Sequence, residues 1–134
     1  MARAMAVRFA VFVDEQRVPI DEEIDERDRI DPAAVHALVS SAGGTPMATG
    51  RFFVREDETV QIGRMAVVQS GRGRGLGRLV LHALMQEARN RGYAMAVLFA
   101  QLHARAFYEQ TGFVAYGETF IDAGISHIAM TRAL

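Results

Sequence analysis

The sequence has no cysteine and no lysine, and each absence removes a class of chemistry. Without cysteine there is no disulfide, no thiolate metal site and no cysteine nucleophile. Without lysine there is no Schiff-base amine and no phosphate-gripping lysine of the P-loop kind, so all 15 basic residues are arginine. Any reaction falls to oxygen and imidazole. A continuous apolar run of about 18 residues, as a membrane span needs, is also missing. So are the charged, apolar and cleavage regions of a signal peptide, and the chain reads as a soluble cytoplasmic protein. A net charge of -1 lacks the basic surface on which nucleic-acid binding rests. The four histidines are scattered, with no ligand-spaced pair, so no metal is expected.

What remains is 134 residues, 50% of them hydrophobic, without internal repeat or linker, consistent with one domain over residues 1–134. Charge is unevenly spread. Between Asp14 and Asp31 stand nine acidic residues and three arginines, whereas Arg64 to Arg91 holds six arginines and a single acid, Glu87. One zone suits a cation and the other suits phosphates; as charge runs alone, both also read as solvated faces.

Met5, Phe9 and Phe12 recur at helical spacing, which predicts a short amphipathic helix over residues 2–13. Pro19 and Pro32 bracket an acidic surface segment. Strand patterns follow over 35–41, 47–55 and 59–68, separated by Gly43-Gly44 and Glu56-Asp57-Glu58. Leu76, Leu79, Val80, Ala83, Leu84 and Ala88 share one helical face, and that helix should stop at Gly92. The apolar run 94–100 predicts a strand buried on both faces, and a second helix spans 103–111. Residues 113–120 and 125–132 flank Asp122-Ala123-Gly124 as a closing hairpin. The fold class is α/β (α+β), a mixed, mostly antiparallel sheet flanked by helices.

Arg72-Gly73-Arg74-Gly75-Leu76-Gly77 joins a strand to the helix that should stop at Gly92, where unpaired amides and the positive end of the helix dipole make an anion site. Arg72 and Arg74 add charge-assisted donors suited to a diphosphate. A tight turn needing positive φ is the plainer reading of the same glycines. The spacing fits neither a dinucleotide fingerprint nor a P-loop. It resembles instead the acetyl-coenzyme A loop of the GCN5-related N-acetyltransferases (GNAT), in which arginine or glutamine is followed by two variable residues, glycine, a variable residue, and glycine or alanine. Arg72, Gly75 and Gly77 take its defined positions. The family's second signature, a tyrosine-bearing helix followed by glycine and an aromatic, is matched by Phe107-Tyr108-Glu109-Gln110-Thr111-Gly112-Phe113. Val11-Phe12-Val13-Asp14-Glu15-Gln16, with Pro19, Asp25 and the ending Gly124-Ile125-Ser126-His127, is similar to the ElaA-like branch.

The resemblance implies the acyl-CoA N-acyltransferase fold and acetyl-CoA as cosubstrate, with transfer to a small-molecule or peptide amine. It implies cofactor contacts from Met65, Ala66 and Val67 on a splayed strand, and from Arg72, Gly73, Arg74, Gly75, Leu76 and Gly77 in the loop. Phe107, Gln101 and His103 complete that set, although many members have asparagine where Gln101 and His103 stand. It assigns Tyr108 as the acid that protonates the departing thiolate. An amide near Val67 is the expected oxyanion donor. As the base, Glu22, Glu23, Glu118, His103 and His127 all stay open, with Glu22, Glu23 and His127 carried forward as catalytic candidates beside Tyr108. The acidic segment would draw a cationic acceptor. The family's first strand has no counterpart, which would leave a sheet edge open to pairing in a homodimer. A non-catalytic acyl-CoA-binding module and an acylhomoserine-lactone synthase are the rival readings.

Overall fold

The structure, a computed structural model, describes residues 6–11, 34–41 and 43–134. Seven strands form one sheet in the order β1-β2-β3-β4-β5-β7-β6. They are β1 Ala6–Val11, β2 Val35–Ser40, β3 Pro46–Val54, β4 Val60–Val67, β5 Met95–Gln101, β6 Val114–Asp122 and β7 Ile125–Ala133. Helix α1 is Leu76–Asn90 and the shorter α2 is Arg105–Gln110. The meander, the first helix and the closing hairpin fall where their sequence patterns place them. Among the described residues no helix is long and apolar enough to cross a membrane.

The first element is a correction. Helical spacing over residues 2–13 predicts a helix, yet Ala6–Val11 is a strand that pairs antiparallel with β2, from Ala6 opposite Ser40 to Val11 opposite Val35. The outer edge of β2, for which the sequence reading supplies no first strand, is therefore paired. Val7, Phe9 and Val11 alternate as well as Met5, Phe9 and Phe12 recur, and so short a segment carries both periods. The unpaired main-chain groups of β2 supply the partners that decide between them.

Helix α1 lies on the sheet because Leu76, Val80, Leu81, Leu84, Met85 and Ala88 bury one face against β2, β3 and β4. Leu79, assigned to that face by spacing, is 38% exposed, and Leu81 and Met85 take the place inside. Each large apolar side chain fully withdrawn from water contributes about 1.5–3 kcal/mol. Gly50 on β3 permits the close approach: a Cβ there would stand 2.9 Å from Val80 Cγ1 and 3.1 Å from Leu84 Cδ1. The helix ends at Asn90, and Gly92, at φ +92°, turns the chain toward β5.

Strand β5 departs from expectation on one face. Ala96, Val97, Leu98 and Ala100 are buried, but Phe99 is 43% exposed. The strand is parallel to β4 through only two pairs, Val60 with Ala96 and Gln61 with Val97. It then follows β7 from Met95 opposite Ala133 to Gln101 opposite His127. Beyond Gln61 the two central strands part, and a hollow lies in that opening.

Candidate functional site

The parting of β4 and β5 coincides with a bulge. Between Thr49–Ala66 and Arg51–Gly63, β3 advances two residues while β4 advances three. The extra residue bends β4, and Arg64 sits at φ +54°. A non-glycine residue in that region costs about 1–3 kcal/mol, strain of the kind that clusters at binding sites. Two hollows meet at the bend.

The first hollow, of about 600 Å³, runs along Met65, Ala66 and Val67 to the loop and the start of α1. Arg72, Gly73, Gly75, Leu76 and Gly77 line it, as do Phe107 and Tyr108. The loop folds back through a 3₁₀ turn at Gln69–Gly71, with the Arg72 amide donating to the Gln69 carbonyl (3.2 Å). Its next main-chain bond is from the Leu79 amide to the Gly75 carbonyl (3.0 Å). The first amides of α1, from Leu76 to Arg78, lie ahead of the helix's own carbonyls and have no partner one turn back within it. Gly75 caps the helix at φ +76°, where a side chain would be strained and where the open backbone faces the hollow. The Arg72 Nε donates to the Val67 carbonyl (3.2 Å), which ties the guanidinium to the end of β4. Arg78 lines the same hollow and donates to Gln110 Oε1 (3.3 Å), linking the first turn of α1 to the end of α2. Amides, helix dipole and fixed arginines make this an anion cradle with an apolar arm leading from it.

The second hollow, of about 480 Å³, fills the wedge between β4 and β5. Ile62 to Met65 form one side and Leu98 to Gln101 the other, closed by His103, Asp122 and His127. Met65 and Tyr108 line both hollows. Tyr108 is half-buried, edge-on to Phe107 (centroids 5.0 Å apart) and Phe113 (6.0 Å). Burial raises its pKa above the ordinary tyrosine value, so the phenol keeps its proton. Its hydroxyl makes no hydrogen bond to a described residue, and it stands as a proton donor where the hollows join. His127 Nδ1 lies 2.8 Å from the Ile125 carbonyl. A carbonyl only accepts, so Nδ1 carries hydrogen and the lone pair of the uncharged ring is on Nε2.

The structure therefore gathers most of the residues singled out by the loop and tyrosine motifs around the first hollow. Arg74 stands exposed in the loop without lining it, whereas Gln101 and His103, expected at the cofactor, line the second hollow with His127. Glu118 is exposed on β6 and lines neither hollow. Glu22 and Glu23 lie outside the described residues. Gly71, Arg78, Arg64, Phe99 and Asp122 line the hollows unforeseen. Arg78 had a legible signal, one turn into the helix behind the glycines. Phe99 and Asp122 had none, because their place depends on how distant strands pair. Among the described residues no group of His, Asp and Glu is placed to hold a metal ion.

Residues 11–134 match the family model described as an acetyltransferase (GNAT) domain. An uncharacterised N-acetyltransferase of Bacillus subtilis, YjcF, is 36% identical over 130 residues, covering 96% of this chain and 89% of its own length. Escherichia coli ElaA superposes with a TM-score of 0.79 at 21% identity, over 96% of this chain and 99% of that one. A GNAT-family acetyltransferase from Elizabethkingia anophelis, solved with acetyl-CoA bound, superposes with a TM-score of 0.75 at 16% identity, over 97% and 98% of the two chains.

Proposed function

The chain belongs to the GNAT N-acetyltransferase family, and from that premise we propose that it moves the acetyl group of acetyl-CoA onto a primary amine by direct attack on the thioester, with Tyr108 as general acid. The observation that carries this reading is the place of Tyr108, half-buried and protonated, at the junction of an anion cradle and a separate polar hollow.

The diphosphate of the cosubstrate belongs at the amides of Gly73 to Arg78, with Arg72 and Arg78 beside it. Its pantetheine arm would pair with the free edge of Met65 to Val67, where β5 has turned away. This directs the thioester toward Tyr108 and the amine into the second hollow. The acceptor must lose a proton before its nitrogen can attack, and His127 Nε2 is the base this reading favours, with His103, Glu22 and Glu23 as the alternatives. The amine lone pair then forms the bond to the carbonyl carbon. Negative charge gathers on the carbonyl oxygen, and a main-chain amide near Val67 is the proposed donor to it. As the carbon–sulfur bond breaks, the Tyr108 phenol gives its proton to the sulfur, the positively charged nitrogen releases its remaining extra proton to solvent to leave the neutral amide, and the phenolate regains a proton from solvent.

Calorimetry of the purified chain with acetyl-CoA, followed by thiol release with a panel of amines, tests the reading. Binding together with amine-dependent thiol release is expected. Binding without release to any amine would instead support a non-catalytic module, and absence of binding would remove both.

A further inference from the structure

We infer that the acceptor is a monoamine carried on an aromatic arm, held by Asp122 at its ammonium group and by Phe99 and Phe120 along its ring. This rests on the amine-acetylation reading above and narrows its substrate class.

Asp122 is the only carboxylate among the described residues lining the second hollow. It ends β6 directly opposite Ile125, the residue whose carbonyl fixes the His127 ring. The hairpin thus brings a carboxylate for the ammonium group and an imidazole for its proton to one end of the hollow. The other ionisable residues lining it, among those described, are Arg64, His103 and Tyr108, none of which offers a second negative charge. Among the described residues the hollow thus offers one negative charge, which matches one cationic centre.

The arm is indicated by two rings that the fold leaves in water. Phe99 is 43% exposed although its neighbours Leu98 and Ala100 are buried, and Phe120 is 38% exposed. They meet edge to face at 5.8 Å, and Phe120 in turn stacks on His127 at 5.7 Å and 21°. A chain of ring faces therefore leads from solvent to the proposed base. Such faces prefer another ring, in offset or edge contact, and also attract a cation approaching between them. A single exposed phenylalanine would be ordinary. Two in contact, continuous with a polar hollow through His127, form a surface that an aromatic amine would cover.

The test compares phenylethylamine, butylamine and spermidine as acceptors for the intact chain, with acetyl-CoA binding measured in parallel. We expect kcat/KM for phenylethylamine to exceed that for butylamine about tenfold, the ratio that a good ring–ring contact supplies. Phe99→Ala, or Phe120→Leu should the first variant fold poorly, should bring that ratio close to one. Asp122→Asn should raise KM for phenylethylamine about two- to fivefold, as loss of an exposed ion pair does, with KM for acetyl-CoA unchanged. Equal use of butylamine, preference for spermidine, or a ratio unmoved by both phenylalanine variants would overturn the aromatic-arm inference while leaving amine acetylation intact. Binding of acetyl-CoA with no transfer to any amine would overturn the transfer reading and this one with it.

Discussion

The guanidinium of Arg132, on β7, donates through Nη1 to the main-chain carbonyl of Thr111 at 2.5 Å, immediately beyond the helix that carries Tyr108. The Thr111 hydroxyl returns to the Tyr108 carbonyl (2.7 Å), which also accepts the amides of Thr111 (3.0 Å) and Phe113 (3.1 Å). A cation at the carboxyl end of a helix is favourable in itself, and here it also ties a short helix to the sheet. Arg132→Met should leave the Thr111 carbonyl short of a donor and lower stability by about 1–3 kcal/mol in urea unfolding. Because the turn behind Tyr108 is loosened, kcat should fall more than the affinity for acetyl-CoA. An unchanged unfolding midpoint would show that the bond carries no stability.

Tyr108→Phe keeps the ring contacts with Phe107 and Phe113 and removes only the hydroxyl. Turnover should fall about 10²- to 10⁴-fold, the usual contribution of a placed general acid. The Kd for acetyl-CoA, read by calorimetry, should stay within about twofold, well under the tenfold that 1.4 kcal/mol represents. Full turnover by the variant would end the assignment.

The same burial makes a prediction about alkaline pH. Tyr108 has a folded pKa above its unfolded one, so the folded state holds its proton more tightly. The stability this contributes is complete below the unfolded value of about 10 and is lost as pH rises through the higher folded value. Thermal melts of the wild type should therefore decline more steeply above about pH 10 than those of Tyr108→Phe. Parallel curves would mean that other groups govern the alkaline limb.

Two loop glycines should respond differently to alanine. Gly75 has φ +76°, and a Cβ there meets no neighbour but forces a left-handed residue, at a cost of about 1–2 kcal/mol. Gly77 is helical, and its Cβ would lie 3.7 Å from both Phe107 Cζ and Val67 Cγ2, an ordinary contact. Gly75→Ala should lower the melting temperature and weaken acetyl-CoA binding. Gly77→Ala should fold with wild-type stability, in keeping with the glycine-or-alanine tolerance of the motif. Equal losses in the two melts would contradict the backbone argument.

The loop from Arg72 to Gly77, the extent of α1 and the Tyr108 segment were all legible in the sequence, because each depends on chemistry within a few neighbouring residues. Glycine permits positive φ, a period near 3.6 defines a helix face, and arginines beside a helix start favour anions. Elements whose character depends on distant partners were less legible. Ala6–Val11 carries both strand and helix periods, and the open edge of β2 decides the outcome. Phe99 belongs to an apolar run expected to be buried throughout, yet it is half-exposed at the hollow that opens where β5 leaves β4 after two pairs.

By itself, then, the sequence determined a mixed fold, a glycine- and arginine-rich loop ahead of a buried helix, and the tyrosine-bearing segment Phe107 to Phe113. Only the tertiary structure decided that β7 lies between β5 and β6, that the bulge at Arg64 opens a wedge, and that Asp122, His127 and Phe99 share the hollow inside it. Turn and helix preferences act over a few residues along the chain. The wedge exists because strands far apart in sequence compete for the same backbone partners, and that competition is settled only when the whole sheet has formed.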